Sequence, residues 1–167
     1  YLKLDLMPEF NETQRFTQWW LWLILVGVWS SMVYSIMTAP PQTDSAVYVS
    51  FGIGILLPLL FWQMKLTTRI TEEGIYVRFF PFHFKEKFFA WDTLSASYVR
   101  TYSPLMEYGG WGIKYSFKGN GLVYNTAGNV GLQLYFKEGD PVLIGTQKGE
   151  EIKQVLAALG QLNESVK

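Results

Sequence analysis

Residues that could do acid–base or metal chemistry are few in this chain of 167 residues. It has no cysteine, which excludes disulfides, thiolate metal sites and cysteine nucleophiles. His83 is the single histidine, and a metal or catalytic site needs several ligands or an oriented partner. Asp92, Arg100 and Glu107 could meet in space, but their spacing does not require it. The sequence therefore predicts no catalytic residue, no cofactor and no metal site, and indicates a non-enzymatic protein.

The stretch Tyr108-Gly109-Gly110-Trp111-Gly112 is a candidate partner-binding loop. Its glycines would let a partner backbone approach, with Tyr108 and Trp111 as aromatic anchors and Arg100 as a charged contact. The alternative is a glycine-bent strand whose tryptophan belongs to the core. The later glycine turns lack the GK[ST] ending of a phosphate loop, and they indicate hairpins.

An aromatic string, FFPFHF at residues 79–84, precedes Lys85 and Lys87. Rings at headgroup level and lysines near anionic lipid would make this string a membrane contact. The alternative is that the rings fill the core, and strand alternation would bury about half of them. The candidate membrane-interface residues are Phe79, Phe80, Phe82, Phe84, Lys85, Lys87, Trp19, Trp20 and Trp62.

These candidates are placed by two uncharged apolar runs, residues 16–37 and 46–64. A helix needs about 20 apolar residues to cross a bilayer, and both runs approach that length. The first run exceeds the apolar core of a signal peptide, which is roughly 7–15 residues. Prolines in the connection at 38–45 end the first helix, so we expect an antiparallel hairpin. Gly52 and Gly54 would allow close approach of the two helices.

Basic residues flank the hairpin on one side only. Lys3 and Arg15 precede it, Lys65 and Arg69 follow it, and the connection carries only Asp44. The positive-inside rule then places both termini in the cytoplasm. The absence of charged residues within either run argues against a proton or ion path.

Short alternating stretches follow, separated by glycine, proline, asparagine and aspartate. They predict strands at 65–70, 75–80, 84–90, 96–102, 111–117, 122–125, 131–136 and 142–145. Helical spacing then predicts one amphipathic helix at 150–162. With 12 basic and 10 acidic residues, the part from residue 65 onward lacks the charge of a nucleic-acid binder. We predict an N-terminal cytoplasmic segment (1–15), a transmembrane hairpin (16–64) and a mainly-β domain (65–167) that forms a curved antiparallel sheet or split barrel, capped by the helix.

Four strings carry a resemblance to a known family: RFFPFHF at 78–84, YSPLMEYGGWGIKY at 102–115, YNTAGNVGLQL at 124–134 and IGTQKGEEI at 144–152. The chain resembles a family of small two-span membrane proteins, common in Bacteroidetes, whose soluble part is similar to bacterial pleckstrin-homology (PH) domains. The resemblance implies a PH-like fold and membrane anchorage, but no activity and no catalytic residues. Gly149 departs from it, since proline is expected at that helix start.

The sequence indicates a membrane-anchored interaction module, and we expect an accessory subunit that docks on a larger membrane protein complex. We expect it in the bacterial inner membrane as a multi-pass protein. The alternative is a domain that senses anionic lipid or the membrane surface. The acidic turn Thr71-Glu72-Glu73-Gly74 argues against binding phosphoinositides as some eukaryotic PH domains do.

Overall fold

The computed structural model describes residues 8–38, 40, 44–116 and 118–163, and it divides into two compact units. Residues 16–64 form a helical unit, while residues from the first fifteen join those beyond residue 64 in a β domain. The prediction of a separate N-terminal segment at 1–15 is therefore corrected. Its described part from Phe10 onward is the first strand of the β domain.

The helical unit consists of α1 (Trp19–Thr38) and α2 (Asp44–Gln63). Both are long and apolar enough to cross a membrane, and neither has a buried residue. Residues 39 and 41–43 of the predicted connection between them lie outside the described residues. The helices approach closely at Gly54, where an added Cβ would lie 2.0 Å from Cδ1 of Trp29. Gly52 has open space around it, so only one of the two predicted glycines is needed for the approach.

The β domain contains nine strands and two short helices among the described residues. Its strands are β1 (Phe10–Arg15), β2 (Lys65–Ile70), β3 (Gly74–Phe80), β4 (Lys87–Ala90), β5 (Leu94–Thr101), β6 (Gly112–Tyr115), β7 (Leu122–Asn125), β8 (Val130–Phe136) and β9 (Val142–Thr146). Its helices are α3 (Pro104–Tyr108) and α4 (Gly149–Ala158), and a 3₁₀ turn precedes β5. All eight predicted strands and the predicted C-terminal helix are present; the strands at 65–70 and 122–125 have the predicted ends, and the other elements have shifted ends.

The strands form two sheets, one of four strands in the order β1-β2-β3-β4 and one of five in the order β5-β8-β9-β7-β6. All pairings are antiparallel except β7 with β9, which run parallel. The expectation of a mostly antiparallel sheet agrees with these pairings, and the parallel pair of β7 with β9 is the exception. A mainly-β domain of two sheets with a C-terminal helix is confirmed.

The core includes alternate residues of β1 and β2, as expected for strands with one buried face, and consecutive residues of β7, β8 and β9, which are buried on both faces. Its fully buried members include Phe10, Leu66, Ile70, Ile75, Val77, Phe79, Val123, Tyr124, Leu132, Leu134, Leu143 and Ile144. Helix α4 buries Ile152 and Leu156 and turns its acidic first turn outward. An added Cβ at Gly149 would lie 2.8 Å from Cγ1 of Val130, which explains glycine at that helix start.

Strand β1 is unusual because two of its three inward residues are polar, Glu12 and Gln14. The Thr146 hydroxyl donates to Glu12 at 2.6 Å, and the Gln147 amide donates to the same carboxylate at 3.0 Å. The Gln14 amide donates to the Gly145 carbonyl at 2.7 Å. These bonds connect the edge strand of the four-stranded sheet to the end of β9 and satisfy the buried polar groups.

Candidate functional site

The ion pair between Arg100 and Glu107 holds α3 against β5. The two Nη atoms of Arg100 donate to the two carboxylate oxygens at 3.3 and 2.8 Å, while its Nε donates to Gln133 at 3.0 Å. Burial works to raise the pKa of Glu107, but hydrogen bonds from Arg100 and the Ser103 amide hold the pKa below its ordinary value. Arg100, predicted as a partner contact, is thus committed to an internal bond. Asp92 is exposed in the 3₁₀ turn, outside this pair.

Tyr108 does not occupy the surface position that the sequence suggested. It ends α3 with 1% of its surface exposed, and its hydroxyl donates to the Asn120 carbonyl at 3.3 Å. Trp111 is half-buried, and its indole donates to the Gly128 carbonyl at 3.2 Å. The burial of Tyr108 corrects its assignment as a partner anchor, whereas Trp111 remains partly accessible.

Helix α3, which the sequence analysis missed, presents two apolar side chains to the surface. Leu105 is 62% exposed and Met106 is 72% exposed. Ser103 caps the helix by accepting from the Met106 amide, and Gly109 ends it in the left-handed conformation. A serine–proline start and a glycine stop are visible in the sequence and are the signal that could have revealed this helix.

The predicted membrane-contact string divides into a buried and an exposed part. Phe79 is fully buried and therefore belongs to the core, which corrects its assignment to the interface. Phe80 is half-buried, while Phe82 is 56% and Phe84 is 80% exposed. The exposed rings lie in the connection between β3 and β4, residues 81–86, which we call the aromatic loop.

Contacts with residues of β3 position the aromatic loop. The ring of Phe82 lies 6.1 Å from that of Phe79, and the ring of Phe84 packs edge-on against Phe80 at 6.1 Å. The His83 amide donates to the Phe79 carbonyl at 2.8 Å. Each of the two exposed phenylalanines thus has a ring contact with a residue of β3.

The charges around the aromatic loop are partly committed. Lys87 donates to the hydroxyl of Tyr124 at 2.8 Å, and Glu86 pairs with Arg69 at 3.1 Å. Lys85 is exposed. Lys87, the first residue of β4, is exposed but has a partner in the core, whereas Lys85 is the cation within the aromatic loop.

His83 packs on the same tyrosine. Its ring lies edge-on to Tyr124 at 5.6 Å. Burial, and secondarily the charge of Lys87, lower the pKa of His83 below its ordinary value, so the imidazole is neutral at pH 7. Within the described residues, no group of three His, Asp or Glu is placed to hold a metal ion.

Strand register places the aromatic loop at a defined end of the four-stranded sheet. Phe80 is the direct partner of Lys65, and Lys65 is the direct partner of Arg15. Lys65 follows the end of α2 by two residues, and Arg15 precedes the start of α1 by four. The loop therefore begins at the end of the sheet where the chain departs to the helices and returns from them. The opposite end carries the acidic turn at 71–73.

Tryptophans occupy the corresponding helix ends. Trp19 and Trp20 begin α1 and are 71% and 38% exposed. Trp62 is the penultimate residue of α2 and is 63% exposed. These are the positions at which indole rings flank a membrane-crossing segment.

Arg78, which was not among the predicted site residues, lies on the outward face of β3 beside Phe80. In the sequence, only the position of Arg78 between two core-facing residues could have indicated that its side chain faces outward.

No protein-family model matches the chain, and no curated protein matches it either. Function is therefore inferred from the geometry of the described residues.

Proposed function

We propose that this protein is a non-enzymatic module held at a membrane by α1 and α2, whose β domain contacts the lipid surface through the aromatic loop. The observation that carries the proposal is the exposure of Phe82 and Phe84 at the end of the sheet where the chain meets the two apolar helices. Rings of this size are ordinarily buried, and a pair of ordered, exposed rings is typical of a contact surface.

The helices support the membrane location. Each has 20 residues, no buried side chain and a surface of exposed large apolar groups. Such a surface in water would be an aggregation liability, whereas a bilayer solvates it. The basic residues Arg15 and Lys65 beside the helix ends favour the cytoplasmic face of a bacterial inner membrane, with both termini on that side.

We also propose a PH-like fold for the β domain. Two sheets followed by one amphipathic C-terminal helix are consistent with that architecture. The β1 strand and the helical unit inserted after it are additions to the simple order of strands and then helix. A shared fold does not bring a shared ligand, so the lipid contact is argued from the loop alone.

The free energy of the contact comes mainly from apolar burial. Covering the exposed parts of Phe82 and Phe84 contributes about 1–2 kcal/mol each, since full burial of such a ring gives roughly 1.5–3 kcal/mol. The loop has no formal net charge at pH 7, because Lys85 offsets Glu86 and His83 is neutral. Loop insertion alone should therefore depend only weakly on salt.

The experiment uses a β domain in which an Asn-Gly turn joins Arg15 to Lys65 in place of the helices. Those two residues are direct partners, so a two-residue hairpin turn fits between them. Cooperative melting first verifies that the domain folds. Flotation with phosphatidylcholine vesicles then compares it with the double variant Phe82→Ser/Phe84→Ser.

We expect the double variant to bind vesicles at least about tenfold more weakly. The matched control is Tyr115→Ser, which removes an aromatic side chain, 60% exposed, from β6 and should leave vesicle binding unchanged. Equal binding by the parent and the double variant would exclude the aromatic loop as the lipid contact.

A second candidate function is docking on another membrane protein, as an accessory subunit of a larger complex. The observation that favours it is the exposure of Leu105 and Met106 on a helix fixed by the Arg100–Glu107 pair. Purification in mild detergent with mass spectrometry tests it. Leu105→Gln/Met106→Gln should release a stoichiometric partner that Lys153→Gln retains. Retention of the partner by both variants would exclude α3 as the docking surface.

A further inference from the structure

The outward face of the four-stranded sheet carries a row of cations at the end where the chain meets the helices. Residues that are direct partners across a ladder project to the same face. Arg15, Lys65 and Phe80 therefore share the outward face, and Arg78 lies on it two positions from Phe80. The inward residues of the same strands are buried.

Arg15 and Lys65 are directly opposite each other on this face. Like charges at directly opposite positions in a sheet repel and destabilise the pairing. Arg78 is the partner of Thr67 and therefore lies diagonal to Lys65, within reach of long side chains. Three cations on three adjacent strands thus surround one small area.

These three cations are not neutralised by carboxylates. Within the described residues, none of Arg15, Lys65 and Arg78 is in a salt bridge. The Nε of Arg78 is buried and makes no hydrogen bond to a described residue. Arg69, four residues beyond Lys65 on β2, differs from these three cations because it pairs with Glu86 and stacks on the ring of Tyr76 at 4.3 Å. The charge of Arg69 is therefore balanced by Glu86, whereas the three cations at the end of the sheet have no carboxylate partner among the described residues.

The cations are continuous with the aromatic loop. The ammonium of Lys65 lies over the ring of Phe80 at 5.8 Å, and Phe80 supports Phe84. An apolar tip next to a cluster of cations matches the boundary of a bilayer, where acyl chains lie beside anionic headgroups. Guanidinium groups also suit phosphate, because their planar N–H donors bind two of its oxygens.

We propose that Arg15, Lys65 and Arg78 form a binding site for the phosphate of an anionic lipid headgroup in the membrane that carries this protein. The negative charge of the phosphate relieves the repulsion between Arg15 and Lys65, and the phosphate oxygens accept hydrogen bonds from the guanidinium of Arg78. The site rests on the proposed function, since it selects a headgroup charge for the surface that the aromatic loop contacts.

The test measures the melting temperature of the full chain in dodecyl maltoside as phosphatidylglycerol, phosphatidylcholine or inorganic phosphate is added. A ligand that binds only the folded state raises the melting temperature. We expect a rise of a few degrees with phosphatidylglycerol and little change with phosphatidylcholine. A rise of equal size with inorganic phosphate at the same concentration would overturn the lipid as the source of the anion.

Two triple variants of equal charge separate the site from general electrostatics. Arg15→Gln/Lys65→Gln/Arg78→Gln should abolish the rise with phosphatidylglycerol, while Lys114→Gln/Lys118→Gln/Lys137→Gln should retain it. Without lipid, Arg15→Gln alone should melt no lower than the parent, because it removes a repulsion. A purely structural role predicts the opposite, and an undiminished lipid response of the first triple variant would exclude the site.

Failure of the site and failure of the proposed function give different results. Loss of vesicle binding on substitution of Phe82 and Phe84, combined with no response to phosphatidylglycerol, would retain the lipid contact and exclude the headgroup site. The opposite result is a response to phosphatidylglycerol that requires the three cations, together with vesicle binding that is unchanged when the phenylalanines are substituted. That result would retain the site and exclude the aromatic loop.

Discussion

Arg15 and Lys65 are direct partners in the β1–β2 ladder, although the whole helical unit lies between them in the sequence. The two helices are therefore an insertion into an antiparallel strand pair that a short turn could otherwise close. The chain leaves the sheet for the helices and returns from them at the same end of the sheet. Because β1 is separated from the rest of its domain by the helices, its own contacts must fix it in place.

Glu12 accepts two of those contacts, from Thr146 and Gln147. We expect Glu12→Ala to lower the free energy of unfolding by about 2–3 kcal/mol, because the Thr146 hydroxyl and the Gln147 amide lose their acceptor. Thermal melting of the full chain in detergent measures the effect. Asn11→Ala, on the exposed face of the same strand, is the control and should change little. Equal melting of the two variants would show that the carboxylate does not secure β1.

The Arg100–Glu107 pair should contribute a coupling free energy of about 1–2 kcal/mol, above the usual value for exposed pairs, because its geometry is bidentate. A double-mutant cycle with Arg100→Ala and Glu107→Ala measures it. The folded-state pKa of Glu107 lies below its ordinary value of 4.5, so this stabilisation is complete above pH 4.5 and is lost as pH falls through the folded-state pKa. Coupling that is unchanged in acid would contradict the ion pair.

Gly149 should resist replacement even though alanine usually favours a helix. Gly149→Ala places a Cβ 2.8 Å from Val130 and 3.3 Å from Val99, so we expect a loss of about 1–3 kcal/mol in the free energy of unfolding. Val130→Ala removes the nearer contact. In that background Gly149→Ala should cost less, as measured by thermal melting, and an equal loss in both backgrounds would exclude steric crowding as the cause.

The two glycines of α2 offer a matched comparison. Gly54→Ala brings a Cβ into the ring of Trp29 and should lower the melting temperature of the helical unit, whereas Gly52→Ala meets no atom within 4 Å. Circular dichroism in detergent micelles follows the helices. Trp29→Leu should restore tolerance of Gly54→Ala. An unchanged melting temperature of the helical unit in both alanine variants would contradict the close approach of the helices at Gly54.

Much of the fold could be predicted from the sequence because its signals are local. The two helices follow from uncharged length, and most strands follow from alternation between glycine turns. Strand β1 was missed because Glu12 and Gln14 face inward, so FNETQR shows no alternation of apolar residues. The parallel pairing of β7 with β9 depends on distant segments and has no local signal.

The candidate site was only partly predictable for a related reason. Sequence identifies an aromatic string, but only the strand register separates buried Phe79 from exposed Phe82 and Phe84. Tyr108 was assigned to the surface because a glycine-rich stretch suggested a loop, whereas a short capped helix turns its ring inward. The cations Arg15, Lys65 and Arg78 lie far apart in the sequence and become neighbours only through two ladders.

The depth of the aromatic loop in a bilayer is the most direct test of the proposed lipid contact. Because the chain has no cysteine, Phe84→Cys provides a unique labelling site, and Glu72→Cys provides a control in the turn at the far end of the β2–β3 pair. The full-length protein is reconstituted in nanodiscs, and an environment-sensitive fluorophore at either position is quenched by spin-labelled lipid. We expect blue-shifted, lipid-quenched emission at position 84 and aqueous emission at position 72. Aqueous, unquenched emission at both positions would contradict contact between the aromatic loop and the lipid surface.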